Sequence, residues 1–300
     1  MVSKETKGTL LVLLTAFESG LAIIVNRFFV IKIDPLLFTA IRALFIGLTF
    51  FLISLVTSKF RLRNFKRVSW KYLLAIGFIG GGIAFLLFFT GLRMTTGGRA
   101  AFLHKTLPLW ATLLAFTFLN ERITKKQVIA MSLMFLGLLL MEYEKISPEI
   151  KFGDFLVIFA TILWAVENTI AKKAMLLKET NWVVTFSRMF FGSLLLFSIL
   201  FLTGKHELLF TLTYQQWIYI VISTLMLTWY VLTWYWGLRY INLSKASTIL
   251  LLSPVISLVA GYYFLHEPIF SLQIVGSALI LVGAYHILKV KSERRFVAIE

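Results

Sequence analysis

Residues 91–137 read GLRMTTGGRAAFLHKTLPLWATLLAFTFLNERITKKQVIAMSLMFLG, and residues 237–283 read GLRYINLSKASTILLLSPVISLVAGYYFLHEPIFSLQIVGSALILVG. With a shift of 146 positions and no gap, 12 of these 47 positions are identical. The same shift pairs Arg42 with Arg188. A repeat of roughly half the chain length, made of apolar segments, is typical of a transporter built from two halves.

The composition indicates a chain that lies in a lipid bilayer. Of its 300 residues, 59% are hydrophobic and 15% charged, whereas a soluble domain carries about 25% charged residues. The mean hydropathy is +0.87. The absence of cysteine excludes disulfides and thiolate metal sites. Glu18 interrupts the first apolar run and no small-residue cleavage site follows, so we do not expect a cleavable signal peptide.

The apolar segments are long enough to cross a membrane as helices. A spanning helix needs about 20 largely apolar residues, and the segments lack the alternation of strands. We therefore predict an all-α polytopic membrane protein with ten transmembrane helices. They lie at roughly 8–30, 35–57, 71–92, 97–119, 127–142, 153–175, 182–203, 216–237, 246–265 and 271–289.

Lysine and arginine predict the orientation of these helices. With the N-terminus inside, the inward connections carry 20 of these residues and the outward connections 7. The positive-inside rule then predicts both termini in the cytoplasm. We expect a location in the plasma membrane. Each half has five spans, an odd number, so the second half is inverted. Arg122, Lys125 and Lys126 follow Glu121, whereas no cation occupies the matching positions after Glu267.

Both copies of the repeat resemble the EamA branch of the drug/metabolite transporter superfamily. The likeness lies in ASTILLLSPVISLVAGYYFLHE at 246–267 and GSALILVG at 276–283, with a weaker AAFLHKTLPLW run in the first copy. The resemblance implies ten helices around a central cavity. The expected organisation is a first repeat at 1–142, a connecting loop at 143–151, a second repeat at 152–289 and a basic cytoplasmic tail at 290–300.

Five charged residues within the predicted spans are candidates for a substrate site. Charges there cost about 2.5–3.5 kcal/mol each and face a cavity or a partner. Glu18 and Glu167 are repeat mates after a three-residue gap, Arg42 and Arg188 are mates, and Lys105 has Leu251 as its mate. The alternative role is ion pairing that only holds helices together. We expect both arginines to face the protein interior, and Lys105 either to contact substrate or to pair with Glu18.

Two prolines and a run of aromatic residues complete the candidate site. Pro108 and Pro254 are repeat mates near the middle of their spans, where each removes a backbone hydrogen bond and favours a kink facing a wet cavity. Trp229 is a candidate for substrate stacking. Residues 234–236 read WYW near a span end, which favours an interfacial aromatic belt.

Other chemistry has little support in the sequence. We predict that Glu121 and Glu267, which follow span ends, cap or anchor helices. The histidines are scattered, and neither a metal-ligand spacing nor a nucleophile triad is present. We therefore expect no catalytic residues, no metal, no cofactor and no enzymatic activity.

The combined prediction is a transporter of small organic solutes by alternating access. The family resemblance implies export of an amino acid or related metabolite as the first choice. A nucleotide-sugar or phosphorylated-sugar carrier is the alternative, since cations in the spans suit an anion. An integral membrane enzyme or a scaffold is the alternative from another class. The expected partners are a small-molecule substrate and the bilayer, without nucleic acid, and the oligomeric state is left open between monomer and homodimer.

Overall fold

The computed structural model describes residues 3–30, 33–57, 69–143 and 149–293. The chain is 86% helical, and the described residues form no strands, which confirms the all-α prediction. Seven helices are long and apolar enough to cross a membrane. These are Pro35–Thr57, Trp70–Met94, Phe152–Leu176, Asn181–Leu202, Tyr214–Tyr240, Leu243–Leu265 and Ser271–Leu288.

The first half contains six helices in the described residues. They are α1 (Lys4–Val30), α2 (Pro35–Thr57), α3 (Trp70–Met94), α4 (Gly97–His104), α5 (Leu107–Phe118) and α6 (Lys125–Glu142). The second half contains α7 (Phe152–Leu176), α8 (Asn181–Leu202), α9 (Tyr214–Tyr240), α10 (Leu243–Leu265) and α11 (Ser271–Leu288). A short 3-10 helix, Lys205–Thr211, joins α8 to α9.

The predicted count of ten membrane crossings stays a prediction. The predicted spans at 8–30 and 127–142 coincide with α1 and α6, which are helical but are not among the seven candidates. The predicted span at 97–119 is divided between α4 and α5. Residues 144–148 of the expected connecting loop and 294–300 of the expected tail lie outside the described residues.

Small residues allow the two halves to pack backbone to backbone. The middle of α3, Ile76–Ile83, is a π-helix that contains a run of glycines. A Cβ atom at Gly81 would lie 1.9 Å from the Arg188 carbonyl oxygen, so α3 and α8 could not approach this closely with a larger residue. Glu167 of α7 lies equally close to α3, since a Cβ atom at Gly80 would lie 2.1 Å from its Cγ.

Candidate functional site

Both proline-containing spans are broken in the middle, as the sequence predicts. In the first half α4 ends at His104, and α5 starts with Pro108 in its first turn. In the second half α10 is interrupted by a 3-10 turn at Leu250–Leu252, after which Pro254 lies in the first turn of the continuing α-helix. Both prolines are buried. Because proline has no N–H, each break leaves a carbonyl without its helical donor.

The two breaks are joined by a hydrogen-bond chain. Lys105 Nζ donates to Ser253 Oγ at 2.5 Å, and Ser253 Oγ donates to the Leu250 carbonyl at 2.9 Å. Pro254 cannot donate to this carbonyl, which accepts instead from the Ser253 N–H in the 3-10 turn and from the Ser253 hydroxyl. Discontinuous helices with polar groups at their breaks form the substrate sites of many transporters.

The second-half charges Glu167 and Arg188 form a closed ion pair. Glu167 Oε2 lies 3.4 Å from Arg188 Nη1, and the Glu167 side chain is completely buried. The Tyr235 hydroxyl donates to Glu167 Oε1 at 2.5 Å and accepts from Arg188 Nη1 at 3.0 Å. This triad joins α7, α8 and α9. Its charges are matched within the protein.

The first-half mates Glu18 and Arg42 have a different environment. Arg42 Nη1 donates to Ser223 Oγ at 2.6 Å, and its guanidinium carbon lies 4.0 Å from the centre of the Phe38 ring. Glu18 is 7% exposed, and its Oε2 has no hydrogen-bond partner among the described residues. Arg42 is the opposite charge that acts on Glu18. A buried carboxylate oxygen without a hydrogen-bond partner is costly. Glu167 Oε2 also lacks a hydrogen bond among the described residues, but it has Arg188 at ion-pair distance.

Helix α1, which carries Glu18, packs against the break in α10 through Gly20. Ser257 Oγ donates to the Gly20 carbonyl at 3.0 Å, and a Cβ atom at Gly20 would lie 2.8 Å from the Ser253 carbonyl oxygen. The unpartnered carboxylate and the Lys105–Ser253 bridge therefore lie on neighbouring segments of the bundle. This region is the candidate site.

The structure gives Lys105 and Glu18 different partners. The sequence-based hypothesis of a local Lys105–Glu18 pair is wrong for this conformation, because Lys105 bonds Ser253 and its opposite charge is Glu142. The prediction that Arg42 and Arg188 face the protein interior is confirmed, since both are buried.

The predicted interfacial belt at residues 234–236 is wrong for Trp234. Trp234 is 1% exposed and donates from Nε1 to Asn168 Oδ1 at 2.7 Å, so it belongs to the core. Trp236 packs edge-on against Trp182, with 4.4 Å between the ring centres. Trp229, by contrast, is 56% exposed and lies on the outer part of α9.

Glu121 caps a helix, as predicted, but the helix belongs to the other half. Its carboxylate accepts from the N–H groups of Leu243 and Ser244, at 2.7 and 3.0 Å, and from Ser244 Oγ at 2.6 Å. Three such bonds at the positive end of a helix are favourable for a carboxylate. The side chain is completely buried.

Tyr235 and Ser253 are site residues that the sequence analysis did not single out. Both could have been found by comparing repeat mates in the sequence. The mate of Tyr235 is Phe89, and the mate of Ser253 is Leu107. In both cases a hydroxyl is present in one half alone, next to a charge. Within the described residues, no group of three or more His, Asp or Glu side chains could hold a metal ion.

The helical architecture and the buried charges between two broken helices define a polytopic membrane protein of the transporter class. The sequence model of the EamA-like transporter family matches residues 6–143 and again residues 151–289. The chain belongs to this family.

Individual relatives agree with this assignment. An "Uncharacterized transporter" of Archaeoglobus fulgidus is 28% identical, over 94% of this chain and 99% of the relative. "Uncharacterized transporter YoaV" of Bacillus subtilis is 27% identical, over 84% and 87%, and "Protein PecM" of Dickeya dadantii 29% identical, over 83% and 82%. A crystal structure with 16% identity has a TM-score of 0.78 and covers 94% of this chain and 97% of its own.

Proposed function

We propose that the chain moves an amino acid or a related metabolite across the plasma membrane, as an exporter that works by alternating access. Glu18, Lys105 and Arg42 bind the solute. The observation that carries the proposal is the buried Glu18 Oε2, which lacks a hydrogen-bond donor among the described residues. Glu18 lies on the helix that packs against the break of α10, where Ser253 bonds Lys105. An ammonium group supplies the missing donor, and a carboxylate replaces Ser253 as the acceptor for Lys105.

Charge matching favours a zwitterion over a phosphorylated or nucleotide-linked sugar. A carrier of those anions needs several cations that are free of protein carboxylates. Arg188 is engaged by Glu167, and Lys105 is influenced by Glu142. The site as a whole therefore carries little excess positive charge, which suits a solute with both an ammonium and a carboxylate.

Membrane orientation and gating complete the proposal. Both termini lie in the cytoplasm, and the two halves are related as inverted repeats. One half rocks against the other around the site, since the breaks of α4–α5 and α10 place irregular backbone at the centre of the bundle.

A metabolite-wide uptake and binding screen in proteoliposomes tests this function. The screen includes amino acids, their decarboxylated and amidated derivatives, and phosphorylated sugars. We expect zwitterions to bind and to be transported, while derivatives that lack either charged group are weaker. Preferential transport of phosphorylated sugars would contradict the amino-acid proposal.

The variant Lys105→Leu tests whether transport depends on the candidate site. Leucine is the residue that the repeat itself carries at the mate position, Leu251. The control is Lys173→Leu, which removes an exposed lysine of α7. We expect loss of transport with retained folding for Lys105→Leu alone. Equal transport by the two variants would remove Lys105 from the site.

A further inference from the structure

The two repeat-related glutamates at the ends of α5 and α10 have the same local backbone. Asn120 and His266, which precede them, both have φ of 54° in the left-handed region. The N–H groups of Glu121 and Glu267 each donate to a carbonyl in the preceding helix, at 3.2 and 3.3 Å. The turn that presents each carboxylate is therefore the same in both halves.

The helix start that the repeat pairs with each glutamate is in a different state. Glu121 holds the start of α10 through Leu243 and Ser244, and every residue of Leu243–Ile249 is buried. The 146-residue shift places Gly97 and Gly98 at the positions of Leu243 and Ser244. In Gly97–His104, however, only Ala100 is buried.

The start of α4 contacts the second half through one side chain, since Arg99 Nε lies 2.9 Å from Asp154 Oδ2 of α7, but its first residue is not enclosed. Its cap is local, because Thr96 Oγ1 accepts from the Arg99 N–H at 3.4 Å. A Cβ atom added at Gly97 would meet nothing within 4 Å. The space next to the first turn of α4 is therefore open, whereas the first turn of α10 is enclosed.

Further contacts close the bundle on the side of Glu121. Arg122 Nη1 lies 3.2 Å from Glu293 Oε2, and Asn242 Nδ2 donates to the Glu293 carbonyl at 2.7 Å. Lys245 Nζ bonds Glu5 Oε1 at 3.0 Å. These bonds join the ends of α1, α5, α10 and α11, so this face is sealed in the conformation described.

We propose that Glu121 and Glu267 are reciprocal latches of the two gates. In the present conformation Glu121 caps α10 and closes its face. When that face opens, Glu121 releases the N–H groups of Leu243 and Ser244. Glu267 then accepts from the N–H groups of Gly97 and Gly98 and closes the opposite face. The two carboxylates exchange a cap between the halves, so that one gate holds while the other is open.

This exchange goes beyond the proposed function, because it names residues that never touch the solute. Its physical basis is that a carboxylate at a helix start accepts charge-assisted bonds, which are lost when the gate opens. The mate capping site provides equivalent bonds in the other state. The equilibrium between the two conformations then depends on the difference in free energy between the two caps.

Cysteine labelling of the detergent-solubilised protein tests the exchange without any substrate. The chain contains no cysteine, so single reporters are unambiguous. Ser247→Cys reports on the enclosed segment of α10, where Ser247 is fully buried, and Gly97→Cys reports on the open start of α4. Each is combined with Glu121→Gln, with Glu267→Gln and with both, and reaction with a water-soluble maleimide is followed by mass.

Glu121→Gln is expected to accelerate labelling of Ser247→Cys about tenfold, equivalent to about 1.4 kcal/mol, and to protect Gly97→Cys. Glu267→Gln is expected to leave Ser247→Cys protected. In the double variant both reporters should react, because neither cap holds. Ser244→Ala removes a single bond to Glu121 and should shift both reporters in the same directions by a smaller factor.

Two results would overturn the proposal. In the first, Ser247→Cys stays protected with Glu121→Gln, so that Glu121 does not hold the gate. In the second, Ser247→Cys is released but Gly97→Cys is not protected, so that Glu121 is a cap without a reciprocal partner. Glu207→Gln, at an exposed carboxylate, is the control. Failure of the solute screen would leave these labelling results unaffected, so the two proposals fail separately.

Discussion

The same pair of charges occurs in both halves of this protein and has two different environments. Glu167 and Arg188 form an ion pair with 3.4 Å between Oε2 and Nη1, and both are hydrogen-bonded to the Tyr235 hydroxyl, with the glutamate completely buried. Their mates in the first half have other partners, since Arg42 bonds Ser223 and Glu18 Oε2 has no hydrogen-bond partner among the described residues. Duplication supplied the charges, and divergence of their neighbours determined their use.

The neighbouring hydroxyls account for the difference. Tyr235 completes the second-half triad, and its mate Phe89 has no hydroxyl. Ser223 accepts from Arg42, and its mate is Gly77. One pair is therefore enclosed within the protein, while the other includes the carboxylate that the proposed function assigns to the solute.

The largest expected effect is the loss of stability on breaking the closed pair. Arg188→Met leaves the Glu167 carboxylate buried without its cation, which costs about 3–5 kcal/mol in the free energy of unfolding. Arg42→Met is the matched control and should cost about half of that or less, since its main bond is to a neutral hydroxyl. Denaturant unfolding in detergent, followed by tryptophan fluorescence, measures both. Equal losses would mean that the two pairs are energetically equivalent.

Removal of one hydroxyl should weaken the triad by a smaller amount. Tyr235→Phe deprives both Glu167 and Arg188 of a buried hydrogen-bond partner and is expected to lower the free energy of unfolding by about 1–3 kcal/mol. The control is Tyr214→Phe on the same helix, at a side chain that is 83% exposed, which should change it by less than about 0.5 kcal/mol. If the two variants unfold alike, Tyr235 does not stabilise the pair.

The repeat and the chemistry of its residues predict much of this arrangement. Arginine within an apolar span predicts burial in the protein, and Arg42 and Arg188 are buried. Proline within a span predicts a break, and both prolines lie at one. These inferences succeed because the cost of exposing a charge to lipid, or of losing a backbone donor, is local to the residue.

Pairing between helices could not be predicted in the same way. Ser253 lies 148 positions from Lys105, so their contact depends on how α4 and α10 pack. The environment of Trp234 could not be predicted either. Its position near a span end favours the membrane interface, but in the structure its side chain bonds Asn168 in the core. A helix that is aromatic on every side does not reveal which side is buried.

Glu18→Gln tests whether the open pair serves transport instead of stability. We expect uptake of the solute found in the proteoliposome screen to fall about tenfold, since a charge-assisted bond of at least about 1.4 kcal/mol is lost. The free energy of unfolding should change by less than about 1 kcal/mol. Glu167→Gln, at the mate position, should lower the free energy of unfolding more than Glu18→Gln does and should reduce uptake less. Unchanged uptake with Glu18→Gln would assign both pairs to structure.

The smallest effect is expected at another pair of mates, Asp34 and Thr180, which cap α2 and α8. Asp34 Oδ1 accepts from the Leu36 N–H at 2.9 Å, and Thr180 Oγ1 accepts from the Val183 N–H at 3.3 Å. Of the two, only Asp34 is charged, and its Oδ2 lies 2.9 Å from Lys205 Nζ. The substitution Asp34→Thr thus makes the first half like the second and keeps a capping oxygen.

Partial burial raises the pKa of the Asp34 carboxyl, but hydrogen bonds from Lys205, the Leu37 N–H and Arg93 outweigh it and hold the pKa below its ordinary value. A carboxyl whose folded-state pKa is lowered stabilises the protein above the unfolded pKa of about 3.9, and that contribution is lost as the pH falls through the folded-state pKa. Arg93 and Lys205 are solvent-exposed partners, so the contribution is less than about 1 kcal/mol. The unfolding midpoint, measured from about pH 7 down to about pH 3, should therefore fall less steeply for Asp34→Thr and Asp34→Asn than for the parent. If the unfolding midpoint of both variants falls with pH as steeply as that of the parent, the Asp34 charge does not contribute to stability. Asp34 would then act only as a helix cap, as the uncharged Thr180 does in the second half.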